Sequence, residues 1–150
     1  MQVIYSLFLY GRTFLFLIFF FPPILIIALF SSSVLYKYAR FLSRGIFWCF
    51  NITIELIGEF PDDGPYILMH NHASFLDLFC LPTIINGPYT GIVAKKNFNI
   101  PLIGAILKKI HAIPIQRSNH QSAKESIALA ENFLNQGLHI AIFTEGTRTI

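Results

Sequence analysis

A neutral imidazole can take a proton from an attacking hydroxyl, and a carboxylate on its other ring nitrogen fixes the tautomer and stabilises the imidazolium as it forms. His72 and Asp77, in Asn71-His72-Ala73-Ser74-Phe75-Leu76-Asp77, have the residue types for that chemistry. On a regular helix, residues five apart point about 140° from each other, so the pair meets only if His72 lies in a turn before a helix begins. A second role is open to Asp77, because Ser74-x-x-Asp77 is a capping box in which the carboxylate bonds the backbone at a helix start. His70-x-His72 carries a third reading: two histidines two apart on a strand point the same way, as a shared metal requires. Asp77 and a later histidine would then complete the ligands of a metal-dependent hydrolase. No GxSxG, CxxC or GxxxxGK[ST] pattern occurs.

Phe143-Thr144-Glu145-Gly146-Thr147-Arg148 is the second constellation. Glycine lets backbone approach a ligand closely, and loop amides, the Thr147 hydroxyl and Arg148 supply donors matched to a phosphate. The alternative is a polar turn with Arg148 in water. The third stretch runs from Ala94-Lys95-Lys96-Asn97 through Pro101 and Gly104 to Ile115-Gln116-Arg117. Its lysines and Arg117 can equally be solvated surface charges.

Positioning these residues requires a framework, and the pattern after residue 50 alternates strands with helices. Ile52, Ile54 and Leu56 have the period of a half-buried strand, Pro61 to Pro65 reads as a turn, and Tyr66 to Met69 forms a second strand. Helices are expected over Ser74–Ile85, Pro101–Ile110 and Ser122–Gln136, with strands Gly91–Ala94, Ala112–Ile115 and His139–Phe143 between them. Pro101 marks a helix start, Ser122 with Glu125 a capping box, and Gly137 a stop. An α/β domain with a largely parallel sheet and flanking helices follows, its sites at the carboxyl ends of strands.

Ahead of it, Thr13 to Tyr36 carries no charge, long enough as a helix to cross a hydrocarbon core of about 30 Å. Pro22 and Pro23 in its middle predict either one kinked spanning helix or a re-entrant hairpin. A cleaved signal peptide ending at Ser31 to Ser33 is the rival reading, and its apolar run exceeds the usual length. The 150 residues are 54% apolar and only 13% charged, which disfavours a simple soluble globule. Residues 1 to 50 hold four bases and no acid, so the excess of +3 belongs to the apolar end and points to a membrane surface, not to nucleic acid. Lys37, Arg40 and Arg44 follow the apolar run and Arg12 precedes it, placing the remaining chain on the cytoplasmic side. Residues 1–45 are read as a membrane anchor and 46–150 as the α/β domain. Cys49 and Cys80 sit in apolar surroundings without metal-ligand spacing. Asn51-Ile52-Thr53 matches a glycosylation acceptor by chance, inside an expected strand.

In order and spacing these stretches resemble the glycerolipid acyltransferases of the 1-acylglycerol-3-phosphate acyltransferase type, over roughly residues 45 to 150. The NHxxxxD block matches at Asn71, His72 and Asp77, the middle block at Lys95, Pro101, Gly104 and Arg117, and EGTR at Glu145, Gly146, Thr147 and Arg148. The resemblance implies that His72 is the general base toward the hydroxyl of a lysophospholipid and that Asp77 orients it. It implies a fatty acyl thioester as donor, on coenzyme A or acyl carrier protein, with no metal and no bound cofactor. Arg117, Glu145, Gly146, Thr147 and Arg148 would help hold the glycerol phosphate of the acceptor. Asn97, Gln116 and Thr144 depart from residues frequent in the family, where Glu, Asp and Pro stand. Lysophosphatidic acid, giving phosphatidic acid, is the expected acceptor. Family members commonly continue through a fourth apolar block, so the domain is expected to be incomplete at Ile150. A truncated, inactive domain that binds membrane lipid is the alternative from another class.

Overall fold

The computed structural model describes residues 2–60, 64–116 and 118–144. By internal packing the chain divides into Met1–Glu59 with Leu78–Ile84, and Phe60–Asp77 with Ile85–Ile150.

The first unit is helical. Helix α1 spans Gln2–Phe20, α2 Pro22–Phe30 and α3 Ser32–Cys49. Proline has no amide to donate and is tolerated in a first helical turn, so the break between α1 and α2 falls at Phe21 and Pro22. Ser31 is extended and its Oγ accepts from the Val34 amide, starting α3. Arg12 bonds the carbonyls of Trp48 and Cys49, Phe16 faces Gly45, and the Tyr38 hydroxyl donates to the Phe20 carbonyl. Partners descend along α3 as they ascend along α1, so the two helices are antiparallel. A Cβ at Gly45 would run into the Phe16 ring, so a larger residue at this crossing requires that ring to move. The return thus comes from α3, while α1 and α2 form one kinked run. Gln2–Phe30 is long and apolar enough to cross a membrane, the one such run among the described residues. Val3, Leu7, Phe8, Phe14 and Phe30 face outward from it, whereas Leu35, Leu42, Ile46 and Phe47 of α3 are buried.

The second unit holds a four-stranded, wholly parallel sheet. Strand β1 is Ile67–His70, β2 Tyr89–Ala94, β3 Ile113–Ile115 and β4 His139–Phe143, in spatial order β1-β4-β2-β3. Helix α4 (Asp77–Ile84) has its first residue in this unit and the rest in the helical one. A 3-10 turn (Lys95–Asn99) and helix α5 (Ile103–Lys109) connect β2 to β3, and α6 (His120–Asn135) connects β3 to β4. The expected α/β class and parallel sheet are present. Ile113, Ile140 and Ala141 form the centre of its core. His139 is buried there, its Nε2 donating to the Asn86 carbonyl while its Nδ1 accepts from the Tyr66 amide.

Three local expectations are corrected. Residues 52–56 form no strand: Ile52, Ile54 and Leu56 are exposed and have no ladder partner among the described residues. Alternation describes a surface, but a strand also needs a neighbour offering hydrogen bonds. Helix α6 begins before Ser122, because the Asn119 side chain accepts from the amides of Gln121 and Ser122. Ser122 Oγ instead accepts from the Gln116 amide, and Glu125 accepts from the Gln121 side chain. Helix α5 starts at Ile103, after Pro101.

Candidate active site

Because all four strands run the same way, their carboxyl ends share one end of the sheet. The segment after β1 carries Asn71 and His72 without helical structure until α4 begins at Asp77. This irregular turn removes the angular separation a helix would impose. His72 Nδ1 lies 2.9 Å from Asp77 Oδ2, with the side chains 18% and 26% exposed. The same Oδ2 accepts from the Ser74 amide at 2.8 Å, and Ser74 Oγ accepts from the Leu76 amide. The capping box and the imidazole partner are therefore one arrangement, not alternatives. Partial burial alone would raise the Asp77 pKa. Hydrogen bonds from the Ser74 amide, the His72 ring and the Ala73 amide, with the charge of His72, outweigh this and hold it below its ordinary value. An ionised carboxylate only accepts, so His72 Nδ1 donates, and in the neutral form of the ring the lone pair resides on Nε2.

Phe143, the last residue of β4, is a contact that the sequence motifs did not single out. The register pairs it with His70, and the ladder continues through the Thr144 amide to the His70 carbonyl at 3.2 Å. Its ring centroid lies 4.1 Å from that of His72, with planes 30° apart, and 4.1 Å from that of His70 at 68°. His72 is thus held at Nδ1 by Asp77 and against its face by Phe143. The signal that could have found it is the parallel register of two strands, which composition does not reveal.

His70 Nδ1 lies 3.3 Å from the Asn71 carbonyl, and its Nε2 is buried with no partner among the described residues. Among the described residues no group of three His, Cys, Asp or Glu side chains is placed to hold a metal. Arg117 and Glu145, Gly146, Thr147 and Arg148 lie outside the described residues.

A model of the family described as Acyltransferase matches residues 51–150. The chain belongs to the acyltransferase family. It is 34% identical over 90 residues to the 1-acyl-sn-glycerol-3-phosphate acyltransferase of Bacillus subtilis, covering 59% of this chain and 44% of that protein. It is 28% identical over 120 residues to the chloroplastic 1-acyl-sn-glycerol-3-phosphate acyltransferase LPAT1 of Arabidopsis thaliana, covering 75% of this acyltransferase chain and 33% of the relative. The crystal structure of the 1-acyl-sn-glycerophosphate (LPA) acyltransferase PlsC of Thermotoga maritima shares the fold at a TM-score of 0.72 and 17% identity, over 98% of this chain and 61% of that one. The acyltransferase chain thus spans between a third and under half of the two curated relatives.

Proposed function

We propose that this chain carries the acyl-transfer centre of a 1-acylglycerol-3-phosphate acyltransferase, with His72 as general base and Asp77 as its orienting partner. The observation that carries the reading is the 2.9 Å bond between His72 Nδ1 and Asp77 Oδ2 at the carboxyl end of β1, in a chain of this family. His72 Nε2 accepts the proton of the acceptor hydroxyl as its oxygen attacks the carbonyl carbon of a fatty acyl thioester. The new C–O bond forms, the C–S bond breaks, and the proton held on His72 passes to the departing thiolate. A thioester is already activated, so base, positioning and charge stabilisation suffice, and neither a metal nor a bound cofactor is needed.

The acceptor is a lysophospholipid, with lysophosphatidic acid giving phosphatidic acid. Arg117, Glu145, Gly146, Thr147 and Arg148 are assigned to its glycerol phosphate on their residue types and family positions. The donor is acyl-coenzyme A or acyl carrier protein loaded with a fatty acid. The bases Lys37, Arg40 and Arg44 support a cytoplasmic placement of the domain against membrane lipid.

The test is transfer from a radiolabelled acyl thioester to lysophosphatidic acid by membranes bearing the chain, beside His72→Ala. Phosphatidic acid from the parent alone is expected, with a loss in His72→Ala of about 10²- to 10⁴-fold. Equal product from both overturns His72 as base. No product from either overturns turnover of lysophosphatidic acid by this chain, and lipid binding that is then unchanged by His72→Ala supports the lipid-binding reading.

A further inference from the structure

The corner between the 3-10 turn and α5 is built unlike the rest of the sheet unit. The Ile103 amide donates to the Pro101 carbonyl at 2.8 Å across Leu102, whose φ is +67° and ψ −51°. That is a γ-turn of the rare, strained hand, on a bulky residue that disfavours positive φ. The chain is braced on either side of it: the Gly104 amide donates to the Ile100 carbonyl at 2.8 Å, and a Cβ at Gly104 would run into the Phe98 carbonyl. Strain of this kind persists where the surroundings over-determine it, and it concentrates at sites that act. Here it turns an apolar side chain to solvent: Leu102 is 55% exposed, Ile100 47% and Ile103 40%, with Pro101 exposed between them.

The charges flanking this apolar knuckle in the sequence have one sign. Lys95 and Lys96 precede it in the 3-10 turn, and Lys108 and Lys109 close α5. From Leu78 through Lys124 the sequence holds six lysines and arginines and no aspartate or glutamate. An exposed apolar tip flanked in the sequence by bases alone fits a surface that is negative outside and apolar beneath.

We infer that the knuckle Ile100-Pro101-Leu102-Ile103 is a lipid-contact site of the sheet unit, entering the headgroup boundary of an anionic bilayer while Lys95, Lys96, Lys108 and Lys109 meet the lipid charge. This contact does not depend on turnover.

A local probe tests it, since the whole chain carries another apolar segment. Leu102→Trp is placed in a Trp48→Phe background, and the purified full chain is reconstituted into vesicles of phosphatidylcholine, alone or mixed with phosphatidylglycerol. Quenching by brominated lipid is expected to be roughly twofold or more stronger in the anionic vesicles, and to fall when Lys108→Gln and Lys109→Gln are added. Right-handed crossovers assign α5 and α6 to opposite faces of the sheet, because the β2 to β3 and β3 to β4 connections run in opposite directions along it. Ile127→Trp on α6 is therefore expected to stay unquenched in both. An indole at 102 that remains water-exposed in both vesicle types overturns the proposal. So does shielding that rises with protein concentration and ignores lipid charge, which marks contact with a second copy. Ile100→Trp repeats the measurement if circular dichroism shows Leu102→Trp misfolded.

Discussion

Each of the two units places an ionisable side chain at a helix end, and the two are used differently. In the helical unit Arg12 directs its donors to the carbonyls of Trp48 and Cys49 at the end of α3, with its guanidinium over the Trp48 ring at 4.6 Å. A cation there answers the partial negative charge of the helix terminus and leaves no proton chemistry, since a guanidinium does not deprotonate. In the sheet unit one oxygen of Asp77 serves both the Ser74 amide and the His72 ring. The same electrostatic device closes a helix in one place and orients an imidazole in the other. What separates them is whether the second partner can titrate.

Asp77→Asn breaks the comparison most directly. An amide cannot hold an imidazolium as a carboxylate does, so acyl transfer is expected to fall by about 10²- to 10³-fold in a steady-state assay, while the fold persists. The variant also reports on pH. The native Asp77 pKa lies below its ordinary value, so the folded chain binds that proton less readily than the unfolded one. The stability it contributes is present above the ordinary aspartate range and is lost as pH falls through the lowered native value. Urea unfolding at descending pH is expected to show a shallower acid loss in Asp77→Asn than in the parent.

Arg12→Gln sharpens the other side. Hydrogen bonds from a charged donor contribute roughly 1.5 to 3 kcal/mol, and a loss of about 2 kcal/mol is expected for the helical unit by denaturation in detergent. The hydrogen-exchange protection of β4 is expected to stay at the parent level. A smaller effect is expected at Phe143. Phe143→Leu keeps apolar volume and removes the flat ring against His72, lowering kcat about tenfold, or about 1.4 kcal/mol, at constant KM, with recovery in Phe143→Tyr. Equal losses in kcat and thermal stability across both variants would reduce the ring to packing. The smallest is Asn119→Ala, which removes the cap of α6 at about 1 kcal/mol in a melting experiment and leaves acyl transfer unchanged.

The sequence made legible whatever depends on spacing alone. A separation of five positions between His72 and Asp77, read beside an apolar run ending near Met69, implies a turn in which the two can meet, and they do. Strand His139–Phe143 and the stop at Gly137, with φ +85°, follow from period and residue type. Features set by a partner distant in sequence stayed hidden. Residues 52–56 have a strand's alternation without a ladder, and the ring of Phe143 reaches two histidines because of a register formed across some seventy residues. The γ-turn at Leu102 contradicts the residue's own preference, so no propensity announces it. The stretch from Glu145 to Arg148 is legible as a motif only and lies outside the described residues.

Strand β4 is the last of the four in the sequence, yet it sits between β1 and β2. A chain emerging from the ribosome therefore carries β1 and β2 for roughly 2 to 10 seconds with an open slot between them, at about 5 to 20 residues per second. Neither strand has its ladder on that side until β4 has been made, and the residue that completes the pairing with β1 is the one whose ring lies against His72. Seating of the ring is thus timed by β4: His72 gains its Phe143 contact only after the strand between β1 and β2 has been made.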